Sequence, residues 1–244
     1  MLRWARAPFL TVFAITMVSL MTLLIGSFVI VLVKVRPRTK WVTPIMRIWA
    51  RMFLFVTATR TRVEGLEHID PDASYVFTGN HTSNIDIPLI IAHLPVSVRF
   101  LAKKELFGVP VLGGAMRGVH MVRTDRVAGT GAHREINRQV DRVVAEGLSL
   151  VIYPEGTRSQ DGELKPFKKG AFRIAIDNRL PVVPVTTSGA DRVWRSGWWL
   201  IFGGKVRMVV HEPIPTEGMG PADIDGLRDR VRAIVLETYE RIRV

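Results

Sequence analysis

From Pro8 to Val33 the chain reads "PFLTVFAITMVSLMTLLIGSFVIVLV", 26 residues without a charged side chain. As a helix this stretch is about 39 Å long, against a bilayer hydrocarbon core of about 30 Å, so it is long enough to span with some tilt. A cleaved signal peptide would have a shorter apolar region, usually about 7 to 15 residues, ending at a small-residue cleavage site. Here the basic run "VKVRPRTK" follows instead. Its Lys34, Arg36, Arg38 and Lys40 outnumber Arg3, Arg6 and the amino terminus on the other flank by one, so the positive-inside tendency favours the cytoplasmic side of a cell membrane for the remainder of the chain.

The next segment, "WVTPIMRIWARMFLFVTATRTR", alternates Trp41, Ile45, Ile48, Met52, Phe53 and Phe55 with Arg47 and Arg51. It fits a helix lying in the membrane interface with its guanidiniums reaching phosphates, and fits a second buried helix nearly as well. Residues 1–60 are thus read as an N-terminal unit of transmembrane and interfacial helices, and 61–244 as a separate domain. In that domain the apolar strands "SYVFTG", "VRFLA", "HMVR", "LSLVIY", "PVVPVTT" and "KVRMVV" alternate with helices expected near 86–94, 106–116, 131–146, 170–178 and 222–242. This alternation predicts an α/β fold, a mostly parallel mixed sheet flanked by helices.

Composition narrows the chemistry. The chain has no Cys, which excludes disulfides, thiolate metal sites and a cysteine nucleophile. Lys plus Arg number 34 against 22 Asp plus Glu, a formal charge of +12 that suits an anionic partner. With the N-terminal apolar helix beside it, that partner is expected to be membrane lipid and not nucleic acid. No Gly-x-Ser-x-Gly elbow, Walker loop or His-Glu-x-x-His is present. His68, His93, His120, His133 and His211 are scattered without metal-ligand spacing and read as structural or exposed, so no metal site is expected.

Two stretches carry candidate chemistry. In "NHTSNIDIP", residues 80–88, His81 and Asp86 sit on a strand-to-helix turn, with "SYVFTG" before it and "DIPLIIAHL" after it. Along one helix, five residues turn through about 500° and would separate the two side chains. They meet only if the turn folds Asp86 back, in which case the carboxylate takes the Nδ1 proton and leaves Nε2 free as a general base. A surface His beside a helix-capping Asp would look the same in sequence. The second stretch, "YPEGTRS", releases Glu155, Gly156, Thr157 and Arg158 into a loop at the end of a buried strand, where open α/β sheets bind ligands. Arg158 offers a planar fork for phosphate, and Gly156 allows close backbone approach. Lys165, Lys168 and Lys169 lead into the next helix, and Lys103 and Arg123 follow or end other strands. Singly each is an ordinary exposed cation; together they would form an anion-binding cleft.

These stretches resemble the glycerolipid acyltransferases typified by 1-acylglycerol-3-phosphate (lysophosphatidic acid) acyltransferase. "NHTSNIDIP" is similar to the family's first motif and "YPEGTRS" to its third, with "FLAKKEL", "GVHMVRTD" and "PVVPV" in the expected order across about residues 60 to 215. The resemblance implies that His81 is the general base, that Asp86 orients it, and that Glu155, Gly156 and Arg158 help bind a phosphorylated acceptor. By position Lys103 and Arg123 would serve the same anion site. Val122 precedes Arg123 where the family usually has an acidic residue, and Arg126 is the alternative arginine. The implied reaction moves an acyl chain from acyl-CoA or acyl-carrier protein, as co-substrate, to lysophosphatidic acid, and needs no cofactor. Two alternatives are another lysolipid or glycolipid acceptor and, in a different class, a non-catalytic basic module that binds anionic lipid.

Overall fold

The computed structural model describes residues 2–37, 39–124, 130–159 and 162–243, except for the side chains of Leu2 and residues 130–134. Arg38, Arg126 and the His133 side chain therefore lie outside the described residues. Two helices open the chain, α1 (Leu2–Val35) and α2 (Val42–Val56). The strands are β1 (Thr59–Glu64), β2 (Val76–Gly79), β3 (Val98–Lys103), β4 (Val122–Thr124), β5 (Ser149–Val151), β6 (Val182–Ser188) and β7 (Gly204–Val210). Between and after them come α3 (Asp86–His93), α4 (Leu112–Gly118), α5 (Thr130–Ala145), α6 (Gly170–Asp177), the short α7 (Ala190–Val193) and α8 (Ile224–Ile242).

The strands form one sheet in the order β1-β7-β6-β2-β5-β3-β4. From β6 to β4 every pairing is parallel; β7 runs antiparallel to β6, and β1 lies parallel to β7. This is the helix-flanked, mostly parallel mixed sheet that the alternating apolar runs predict. Alternation along β2 shows how both faces are covered: Phe77 joins a cluster with α2 and α3, while Val76 joins one with α6 and α8. Both are fully buried, and side chains of this kind each contribute about 1.5–3 kcal/mol by leaving water.

Two predicted elements differ in detail. The segment after Trp41 does not stay helical to Arg62. α2 stops at Val56, Ala58 takes a left-handed conformation (φ 51°), and "TRTRVE" becomes edge strand β1. The helix expected near 106–116 is divided into a 3-10 turn at Lys104–Gly108 and α4, with Val111 at φ 62° between them. Arg47 on α2 is turned inward: its Nη2 donates to the Leu94 and Pro95 carbonyls at 2.8 and 2.6 Å, satisfying the C-terminal end of α3. Phe53 and Leu54 of α2 are buried while Phe55 is exposed, so α2 is half covered by the domain.

The 34-residue α1, about 51 Å long by its rise, lies against the rest of the chain along its length. Near its start Arg3 Nη2 donates to Gly203 O (3.0 Å), and Trp4 meets Phe202 edge-on. Thr11 Oγ1 accepts from Ile201 N–H, and Thr22 Oγ1 from the Trp49 indole. Toward its end it packs on α4 at glycines: a Cβ on Gly114 would lie 2.8 Å from Ile30 Cδ1, and one on Gly118 2.7 Å from Val33 Cγ2. One stripe, through Ala7, Ala14 and Met21, is buried, and the opposite one, through Phe9, Val12, Leu24 and Val31, is exposed and apolar.

Candidate active site

β2 and β5 are neighbours and parallel, so the segments after them emerge side by side at one end of the sheet. Asn80 extends the pairing beyond β2 through its amide: Nδ2 donates to Thr187 O (2.7 Å), and Oδ1 accepts from Thr187 N–H (2.9 Å). The turn then folds back as the sequence requires if His81 and Asp86 are to meet. Asp86, at the first position of α3 and 1% exposed, accepts from the Thr82 and Ser83 N–H groups at 2.8 and 2.9 Å. The same oxygen, Oδ2, lies 2.7 Å from His81 Nδ1. A carboxylate there takes the Nδ1–H and leaves the Nε2 lone pair unprotonated.

His81 is held by its backbone as well. Its N–H donates to Glu155 Oε1 (2.8 Å), and its carbonyl accepts from Ser159 N–H (2.8 Å). The Tyr153 ring stacks on the imidazole with centroids 3.9 Å apart and 9° between planes. Tyr153 is a feature the motif reading passed over, although it stands two residues before Glu155. Burial pushes its phenol well above the usual range, with the neighbouring Asp86 charge adding to the shift.

His81, Lys103, Gly156, Thr157 and Arg158 line one cavity of about 920 Å³. Lys168, Lys169 and Arg173 add cations to it, the last unforeseen from sequence, while Phe100, Leu106, Ile152 and Ile174 supply apolar wall. Arg158 Nε is buried and has no hydrogen-bond partner among the described residues. Gly156 sits at φ 77°, with Lys168 Nζ 2.9 Å from where a Cβ would be, so a side chain there would be strained and crowded.

Two expected members of the anion site are placed differently. Glu155 is 4% exposed, and both its oxygens face backbone, Oε1 toward His81 N–H and Oε2 toward Lys165 N–H at 3.3 Å. It ties the two segments together and does not face the cavity. Burial raises its carboxyl to about 7 against the pull of those two N–H groups. Arg123 lines a different cavity, because neighbouring residues of a strand face opposite ways and it is Thr124 that reaches the cavity of His81. Trp194 stacks on Phe53, and its carbonyl accepts from Ser83 Oγ (2.6 Å); Trp199 remains exposed. The described histidines away from the site have local partners, His68 with Val210 O, His93 with Thr61, His120 with Glu146 and His211 with Thr186.

A mostly parallel sheet that brings a His–Asp pair and a cationic loop into one cavity has its counterpart among known proteins: the family model described as Acyltransferase matches residues 60–188, and the chain belongs to that family. Its members among the relatives below are enzymes. Over 208 residues it is 35% identical to a chloroplastic 1-acyl-sn-glycerol-3-phosphate acyltransferase of Brassica napus, covering 84% of this chain and 60% of that one. Over 198 residues it is 29% identical to the alpha 1-acyl-sn-glycerol-3-phosphate acyltransferase of Homo sapiens, covering 81% and 70%. The crystal structure of the 1-acyl-sn-glycerophosphate (LPA) acyltransferase PlsC from Thermotoga maritima matches it with a TM-score of 0.85 at 27% identity, over 98% of this chain and 97% of that one.

Proposed function

We propose that the protein acylates the free hydroxyl of lysophosphatidic acid, giving phosphatidic acid for phospholipid synthesis, with acyl-CoA or acyl-carrier protein as donor. The observation that carries this reading is the 2.7 Å contact of His81 Nδ1 with buried Asp86 beside a cavity rimmed by cations. His81 Nε2 takes the acceptor's hydroxyl proton as the oxygen attacks the thioester carbonyl. The tetrahedral adduct collapses with cleavage of the C–S bond, and the proton passes from the imidazolium to the departing thiolate. Asp86 stabilises that imidazolium. A thioester is already activated, so the reaction asks for no resident cofactor. Arg158 and the lysines around it hold the acceptor's phosphate, Arg158 as a planar fork.

The apolar outward stripe of α1 supports membrane attachment; because Arg3 near its start and Val33 near its end both contact the domain, α1 lies along the domain instead of crossing the bilayer away from it as the sequence suggests, and the basic residues that follow it favour the anionic cytoplasmic leaflet. The test of activity is incubation of the purified protein with acyl-CoA or acyl-carrier protein and a panel of lysolipids, with products identified by mass. Phosphatidic acid is expected; acylation confined to another lysolipid or a glycolipid would replace the acceptor assignment. In the same assay Arg158→Ala should raise the acceptor KM by about tenfold or more, the worth of a charged hydrogen bond. A lysolipid without the terminal phosphate should lose that sensitivity.

A further inference from the structure

Beside the cavity of His81 lies a second one of about 680 Å³, between α4, β4 and α5. Arg117, Arg123, Arg138 and Arg142 face it, against one carboxylate in its lining, Glu135. That carboxylate is already engaged by Arg138 and by Gln139 Nε2. Nearby Glu146 is matched by His120, whose Nδ1 is 2.9 Å away. Among the described residues, neither Arg123 nor Arg142 has an acidic partner within ion-pair distance. Phe107, Met121 and Ile136 give the cavity an apolar floor.

The two cavities abut. Ile136 lines both, and consecutive residues divide between them: Arg123 faces one and Thr124 the other, Leu106 lines that of His81 and Phe107 that of the arginines. The reaction has two substrates, and the acceptor's single phosphate is accounted for by the cations around Arg158. The second positive cavity contains neither His81 nor Asp86, so it suits a part of a substrate that is strongly anionic and remote from the reacting carbon. Coenzyme A has that form: a thioester on a flexible pantetheine arm, a diphosphate, and a phosphorylated adenosine whose flat base packs on apolar surface. Guanidiniums are the side chains best matched to such phosphates.

Resting on the acyl-transfer reading above, we propose that this arginine-lined cavity binds the phosphorylated nucleotide of an acyl-CoA donor, while the pantetheine arm carries the thioester across Ile136 to His81. The test uses the full chain with His81→Ala, which removes turnover, titrated with coenzyme A, dephospho-coenzyme A and pantetheine. Coenzyme A should bind most tightly. Arg123→Gln or Arg142→Gln should weaken its binding by about tenfold or more, Arg142→Lys by less, and pantetheine binding should not change. In the His81-containing enzyme the same substitutions should raise the KM for acyl-CoA and leave that for lysophosphatidic acid unaltered. Unchanged coenzyme A affinity in both glutamine variants, or a raised KM for lysophosphatidic acid alone, would overturn the assignment. So would turnover with acyl-carrier protein but none with acyl-CoA. Arginine-dependent binding of coenzyme A without transfer to any acceptor would instead leave this site standing and remove the proposed reaction.

Discussion

Asp86 serves two structural ends with one oxygen, closing the turn through Thr82 and Ser83 and orienting the imidazole. Losing the base and losing its orienter should therefore differ. His81→Ala is expected to lower turnover by about 10²–10⁴-fold with little change in fold. Asp86→Asn should impair transfer and also loosen the turn, which a lower melting temperature would register. Near wild-type turnover for the His81 variant would remove it from the chemistry. Glu155 gives a pH signature. Burial holds its folded pKa near 7, above the roughly 4.3 of a free glutamate, so between those values the folded chain binds more protons than the unfolded one. Its contribution to stability is fully present below about 4.3 and is lost as pH rises through about 7. Denaturant midpoints measured at pH 5 and pH 7.5 should show a larger fall for the wild type than for Glu155→Gln; equal falls would contradict the account. The strand-to-helix turn around His81 and Asp86 was legible in sequence, but their contact was not, since a surface His beside a helix-capping Asp has the same letters. Glu155 was not, since a carboxylate facing backbone and one facing phosphate have the same letter.

Between elements, α1 and α4 meet closely at two glycines. Val33 is β-branched and stiff at χ1, so a methyl on Gly118, 2.7 Å from Val33 Cγ2, has little room; at Gly114 the neighbour is the more adaptable end of Ile30. Gly118→Ala should destabilise by about 1–3 kcal/mol, Gly114→Ala by less, and adding Val33→Ala should recover part of the Gly118 loss. Additive effects in that double-mutant cycle would show that the two residues do not press on each other. Most elements were readable from apolar runs, and α3, α6 and α8 begin within two residues of expectation. β1 was not, because on the sheet edge "TRTRVE" needs no continuous apolar face and its Thr–Arg alternation follows a helix without a Pro to mark the end. The face that Arg123 takes was not legible for a related reason: a three-residue strand gives no sequence cue to which way each side chain points.

For the whole molecule, the exposed stripe of α1 is the surface that separates membrane attachment from folding. Because α1 is docked, its deletion would uncover Met46, Trp49 and Val119 and confuse the two effects. Replacing Phe9, Leu24 and Val31 with Glu leaves the buried stripe intact and should move the protein from the membrane to the soluble fraction with its melting behaviour preserved. In sealed vesicles with the cytoplasmic face outward, added protease should reach the catalytic domain, and protection would reverse the assigned sidedness. The reversal between β6 and β7 gives these features a common location. Since β7 and β1 start where β6 ends, Gly203, the first residues of α1 and the turn carrying His81 gather at the same end of the sheet. With α1 on a bilayer and a lysolipid as acceptor, as proposed above, acceptor encounter would be a two-dimensional event: its rate should follow the mole fraction of lysolipid in the surface, so that inert phospholipid added at constant bulk acceptor should slow turnover by dilution alone.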